Sequence, residues 1–99
     1  MGKFASVADR NAIEAEAAWA DRGVAASIHQ FVTDARNRHG SRPAVSFQLL
    51  SGPGDKAETL TWSQLHEKVT QAANLFRSLG IGQGDVVAYV LPNCMEAVI

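Results

Sequence analysis

Leu79-Gly80-Ile81-Gly82-Gln83-Gly84-Asp85-Val86-Val87-Ala88-Tyr89-Val90-Leu91 is the stretch on which the fold class turns. Gly80 is placed to be the left-handed residue that ends a helix, with Ile81 as the apolar cover of that cap. Gly82-Gln83-Gly84-Asp85 then turns the chain into Val86–Leu91, which is apolar throughout. A run of that kind is the signature of a strand covered on both faces, and such strands occur almost only inside α/β sheets. The expectation is therefore an α/β fold with a buried strand at 86–91, ended by Pro92. Asn93 with Glu96 has the form of a helix-start box, leading into a helix over Cys94–Ile99.

Upstream of this stretch lies the clearest helix. Leu65, Val69, Ala72, Ala73, Phe76 and Leu79 recur at i, i+4, i+7, i+8, i+11 and i+14, one apolar stripe. Thr61 and Gln64 form a capping box at its start. Before it, Val45, Phe47 and Leu49 alternate with Ser46 and Gln48, a half-buried strand over 44–50. Ser51-Gly52-Pro53-Gly54-Asp55 is turn chemistry, and Glu58 to Trp62 returns as a second strand, completing an antiparallel hairpin. A further helix over 28–39 begins with the box Ser27/Gln30. It carries Ile28, Phe31, Val32 and Ala35 on one face and stops at Gly40 and Pro43.

The first 40 residues differ in composition. They hold ten Ala but nine larger apolar residues, whereas residues 41–99 hold 21 of the latter, so the packed core is coded mainly in the second part. Asp9 to Trp19 has high helix propensity with Asp9 as its cap, and Gly23 breaks the run. Its apolar face is little more than Ile13, Ala17 and Ala20. Residues 1–27 therefore read as an N-terminal arm, and residues 28–99 as the first part of a larger domain. The last helix lacks a stop signal and the strand at 86–91 asks for neighbours, so the chain is expected to be the truncated front end of a longer protein.

Several classes are excluded. Nine Lys plus Arg against ten Asp plus Glu, evenly spread, leave a net charge of −1, without the basic face that nucleic acid requires. No apolar run approaches the roughly 18 residues of a membrane span, and the N-terminus lacks the apolar core of a secretory signal. A single cysteine, Cys94, fits a reducing compartment, so a cytoplasmic place is expected.

The residues that could carry chemistry form no constellation. Gly80-x-Gly82-x-Gly84 follows a helix and precedes a strand, the reverse of the order in a dinucleotide loop, so it reads as a turn. Ser51–Lys56 lacks the phosphate-loop spacing and reads as a hairpin loop. His29, His39 and His66 are not at i, i+4 with one another, and His29 and His66 lie off the apolar stripes as exposed polar residues. Cys94 reads as a small buried hydrophobe in a first helical turn. Asp34, Glu67 and Glu96 are isolated acids, and Trp62 packs against the following helix. No catalytic, cofactor-binding or metal-ligating residue is nominated.

Taken in order, Pro43-Ala44, Leu60-Thr61-Trp62-Ser63-Gln64-Leu65, Ala72-Ala73-Asn74-Leu75, Leu79 to Ala88 and Leu91-Pro92-Asn93 resemble the N-terminal segment of the AMP-forming acyl-CoA synthetases. Helix 28–39, ending Arg38-His39-Gly40-Ser41-Arg42-Pro43, is similar to the helix before that segment's first strand. Three departures leave the subfamily open: Trp62 replaces the usual Tyr, Val86 stands where a basic residue commonly follows the Asp, and the loop 51–57 is longer than in many members. Residues 1–27 match nothing general, although long arms occur in the larger fatty-acid and acetyl-CoA-type members.

The resemblance implies the incomplete large domain of an adenylate-forming ligase. In that family a carboxylic acid, here expected to be a fatty acid, reacts with ATP and Mg2+ to give an acyl-adenylate, and CoA then displaces AMP. The catalytic motifs lie past residue 99, so the 99-residue chain is expected to be inactive and to bind none of these cofactors. Its expected partners are the remainder of its own enzyme and the acid substrate, with homo-oligomers also open. The alternatives are a ligase that loads a carrier protein and a complete small α/β interaction module without enzymatic activity.

Overall fold

A computed structural model describes residues 5–99. The chain divides into two compact units, one up to Phe31 and one from Val32 onward. The architecture is α/β. Among the described residues there are three α-helices and a two-stranded sheet.

In the first unit, α1 spans Val7–Glu16. Its cap is Ser6 and not Asp9: the Ser6 hydroxyl oxygen accepts from the Asp9 amide at 3.2 Å and donates to Asp9 Oδ2 at 2.8 Å. The Ser6 hydroxyl thus satisfies one amide of the first turn, and Asp9 at the third helical position faces the positive end of the helix dipole. α1 ends at Glu16, before Gly23, and a 3-10 turn over Trp19–Arg22 follows. Gly23 ends that turn at φ 66°, where a side chain would be strained. The Arg22 guanidinium folds back onto the carbonyls of Ile13 and Ala17, two acceptors that the end of α1 leaves open. No residue of α1 is buried.

α2 runs over Ile28–His39, with the Ser27 hydroxyl accepting from the Gln30 amide at 3.1 Å. Of its predicted stripe only Val32 is buried; Ala35 is half-buried, and Ile28 and Phe31 are exposed. In the second unit, β1 (Pro43–Phe47) pairs antiparallel with β2 (Glu58–Thr61), Val45 opposite Leu60 and Ser46 opposite Thr59. The Ser46 and Thr59 hydroxyls meet across the strands at 2.7 Å. The strands are shorter than predicted: Leu49 and Leu50 lie exposed at the tip, and Trp62 belongs to the next helix. The helix wins Trp62 because Thr61 caps it.

α3 (Trp62–Ser78) has the predicted capping box complete, Thr61 Oγ1 accepting from Gln64 N at 3.2 Å and Gln64 Oε1 from Thr61 N at 2.9 Å. Two further amides of its first turn are taken by the turn after α2. Trp62 N–H donates to the Arg42 carbonyl and Ser63 N–H to the Gly40 carbonyl, each at 3.0 Å. At its far end Gly80 has φ 81°. Ile81 N–H reaches the Phe76 carbonyl and Gly80 N–H the Arg77 carbonyl, both at 3.0 Å, the double-bonded glycine cap that the sequence predicts.

The core is small. Among the described residues Val32, Leu65 and Met95 are the buried apolar ones. The buried face of α3 holds Leu65 with half-buried Trp62, His66, Val69, Thr70 and Ala72, while Ala73, Phe76 and Leu79 from the predicted stripe lie exposed.

The stretch 86–91 departs most from expectation. It forms no strand, and among the described residues no backbone hydrogen bond ties 86–92 to another segment. Nor is it buried: Val86, Val87, Tyr89, Val90 and Leu91 are 90, 45, 67, 100 and 47% exposed. A helix closes its hydrogen bonds within itself, but a strand exists only against another strand, and the hairpin does not pair with this one. The expected helix after Asn93 is instead a 3-10 turn over Met95–Val98 without a side-chain cap. So short a stretch makes too few α-helical bonds to offset nucleation.

Candidate functional site

Two features have the form of a site. The first joins α2 to α3. His66, which the sequence placed on the exposed side, is half-buried between the helices. Its Nε2 lies 3.3 Å from Thr33 Oγ1, and its Nδ1 lies 3.4 Å from Arg36 Nη1. A guanidinium only donates, so in the contact with Arg36 the ring nitrogen Nδ1 is the acceptor. The Thr70 hydroxyl donates to the His66 carbonyl at 2.8 Å. This arrangement ties two helices together.

The second feature is an apolar groove of about 600 Å³. Ala72 and Phe76 of α3 form one side, Val87, Tyr89 and Leu91 another, and Glu96 to Ile99 close the end. The odd-numbered residues of 87–91 line the groove, while Val86 and Val90 are the most exposed of the run. That alternation is the period of an extended ribbon. Glu96 is the one charged lining residue, so the groove has none of the converging polar groups that orient a small ligand.

The other singled-out residues are dispersed. His29 and His39 lie on exposed positions of α2, Asp34 is half-buried there, and Glu67 is exposed on α3. Cys94 is half-buried and precedes the 3-10 turn; the buried side chain there is Met95. Among the described residues no three His, Cys, Asp or Glu side chains gather closely enough to hold a metal. Among the described residues no helix is long and apolar enough to cross a membrane.

Both glycine-rich loops are self-capped turns. Gly52 N–H donates to Asp55 Oδ2 at 2.9 Å and Gly82 N–H to Asp85 Oδ2 at 2.7 Å, and each aspartate amide returns a bond of 3.1 Å to the glycine carbonyl. An amide that cradled a phosphate would have to be free, with no carboxylate beside it. Here the carboxylate already occupies it. These loops do not fit ATP.

The decisive observation is in the sequence family. The family of AMP-binding enzymes matches residues 32–99, the whole second unit. This chain belongs to the AMP-binding enzyme family. The family member is similar to the acetyl-coenzyme A synthetase of Gemmatimonas aurantiaca, 43% identical over 65 residues that make up 65% of this chain and 10% of the relative. It is also similar to that of Streptomyces avermitilis, 41% identical over 61 residues, 62% of this chain and 9% of the relative. The crotonobetaine/carnitine–CoA ligase of Proteus mirabilis is 35% identical over 69 residues, 70% of this chain and 13% of the relative. The chain thus spans about a tenth of the length of the curated relatives it matches. No solved structure matches it.

Proposed function

We propose that this chain is the leading segment of a longer ATP-dependent, AMP-forming acid–thiol ligase. Residues 28–99 are then scaffold of its large N-terminal domain, and residues 1–27 an arm ahead of it. The observation that carries this reading is the family match over residues 32–99. In the proposed reaction a carboxylate attacks the α-phosphate of ATP, releasing pyrophosphate, and the thiol of CoA then displaces AMP to leave a thioester. The relatives' names support CoA as acceptor and a small carboxylic acid as substrate, and a fatty acid is the alternative to be tested beside it.

ATP and CoA belong to residues outside this chain, whose glycine turns are already occupied by Asp55 and Asp85. Mg2+, which would offset charge on the phosphates, belongs there too. The contribution of residues 32–99 is mechanical: a helix pair fastened through His66, and an apolar ribbon at 86–91 offered to further strands. A single cysteine supports a place in the cytoplasm.

The test is ATP–pyrophosphate exchange. The polypeptide that continues past Ile99 is expected to exchange label in the presence of acetate, a carnitine-type acid or a fatty acid, and the 99-residue chain with none of them. Exchange by the 99-residue chain, or its absence from the longer product with every acid class, refutes the proposal.

A further inference from the structure

We infer that His66 is an acid-sensitive latch between α2 and α3: the neutral ring holds Arg36, and a proton on the ring lets the helix pair go. The half-buried ring meets Arg36 through Nδ1, 3.4 Å from Nη1, and that nitrogen is the acceptor. Protonation turns the acceptor into a donor and sets two cations against each other at hydrogen-bond range. Arg36 is held in place for this, because its Nε and Nη2 both donate to Asn37 Oδ1, at 3.3 and 3.0 Å. The Thr33 contact at Nε2, 3.3 Å long, is indifferent to the proton, since a hydroxyl either donates or accepts. The response to acid therefore falls on the Arg36 contact.

The charges around the ring leave that sign unchanged. On α2, His29 stands one turn before Thr33 and adds a cation in acid, while Asp34 follows Thr33 by one residue, about 100° around the helix and away from Arg36. Arg42, in the turn that receives the Trp62 amide, is a further cation. On α3, Glu67 and Lys68 are exposed, one and two residues past His66, positions that do not share its face. Glu58 is opposite Phe47, at the end of the hairpin remote from Thr61, and Glu96 lines the groove with Ala72 and Phe76, farther along α3. Half-burial adds to the cost of charging the ring. The fastening is thus full above about pH 6.5, where an ordinary histidine is neutral, and is lost as the pH falls through the titration of His66. It rests on the His66–Arg36 contact and not on the ligase reading.

Proton nuclear magnetic resonance of the 99-residue chain between about pH 8 and 5 tests it, read by the His66 ring signals and by the contact of that ring with the Thr33 methyl group. At the alkaline end the contact is expected, and it should fade by about half or more as His66 titrates, with a midpoint below about 6.5. Arg36→Gln keeps a donor for Nδ1 without the charge, and its amide oxygen can accept from the protonated ring. The proton affinity of His66 should then rise about threefold or more, and the contact should outlast protonation. His39→Gln, at an exposed position of α2, should move neither readout. Absence of the contact at the alkaline end, its survival through the titration of the parent chain, a midpoint at or above about 6.5, an Arg36→Gln chain that titrates and loosens like the parent, or a shift in His39→Gln overturns the inference.

Discussion

Replacing Gly40 with alanine probes how α3 is fastened to the turn after α2. A Cβ built there would lie 2.6 Å from Ser63 Oγ and 2.9 Å from the Arg36 carbonyl oxygen, where ordinary contact begins at 3.4 Å. The two groups would have to give by about 0.8 and 0.5 Å. The first is easy, because Ser63 is exposed and its hydroxyl can rotate. The second is not: Arg36 is held in α2, so the displacement falls on residues 40–42. Those residues supply the carbonyls that receive the Ser63 and Trp62 amides. Overpacking of this kind costs about 1–3 kcal/mol, and the stiffer unfolded chain returns about 0.4–1 kcal/mol. The net loss is about 1–2 kcal/mol. Amide hydrogen exchange at Trp62 and Ser63 reads it locally, without requiring two-state unfolding. Gly40→Ala should lower protection at both amides by about 5–30-fold, and adding Ser63→Ala should recover less than about threefold of that. Unchanged protection in Gly40→Ala would refute this account, as would full rescue by Ser63→Ala, which would mean that the Arg36 overlap costs nothing.

Two other substitutions test the ends of α3. Thr61→Ala removes the acceptor for the Gln64 amide and should cost about 1 kcal/mol, with Thr61→Ser recovering most of it, read by exchange at Gln64. Gly80→Ala meets no atom within 4 Å but forces a side chain to φ 81°, so it should cost about 1–2 kcal/mol. Gly82→Ala, without a positive φ and with only Asp85 Oδ2 at 3.9 Å, should cost well under that; equal losses at the two glycines, measured by exchange in the last turn of α3, would contradict the assignment.

Local signals were legible in the sequence. The capping box at Thr61 and the glycine cap at Gly80 each rest on residues within about one turn of one another and stand where the pattern put them, as does α2, while the hairpin is present with shorter strands than the alternation suggested. The misplaced α1 cap belongs to the same class of signal: Ser6 and Asp9 both suit the position, and the pair bonds in the order Ser-x-x-Asp. What was not legible is long-range. His66 lies one residue from the predicted stripe, and only the approach of α2, bringing Thr33 and Arg36, draws it inward. The ribbon at 86–91 has the composition of an interior strand, yet composition supplies no partner, and strand pairing cannot form without one. As for the candidate site, the sequence nominated no catalytic residue and recognised both glycine loops as turns. That Asp55 and Asp85 plug them is visible only in the folded chain.

The hairpin is clamped where its strands meet the helices. Pro43 is opposite Thr61, and the Arg42 carbonyl holds the Trp62 amide one step farther out. Extra residues spliced into the tip between Gln48 and Glu58 would therefore lengthen a loop whose ends are already joined, and doubling a flexible loop costs only about 0.6 kcal/mol. Length at that tip is free to drift between relatives, or to accept a reporter peptide, while the clasp beneath it keeps α3 in register.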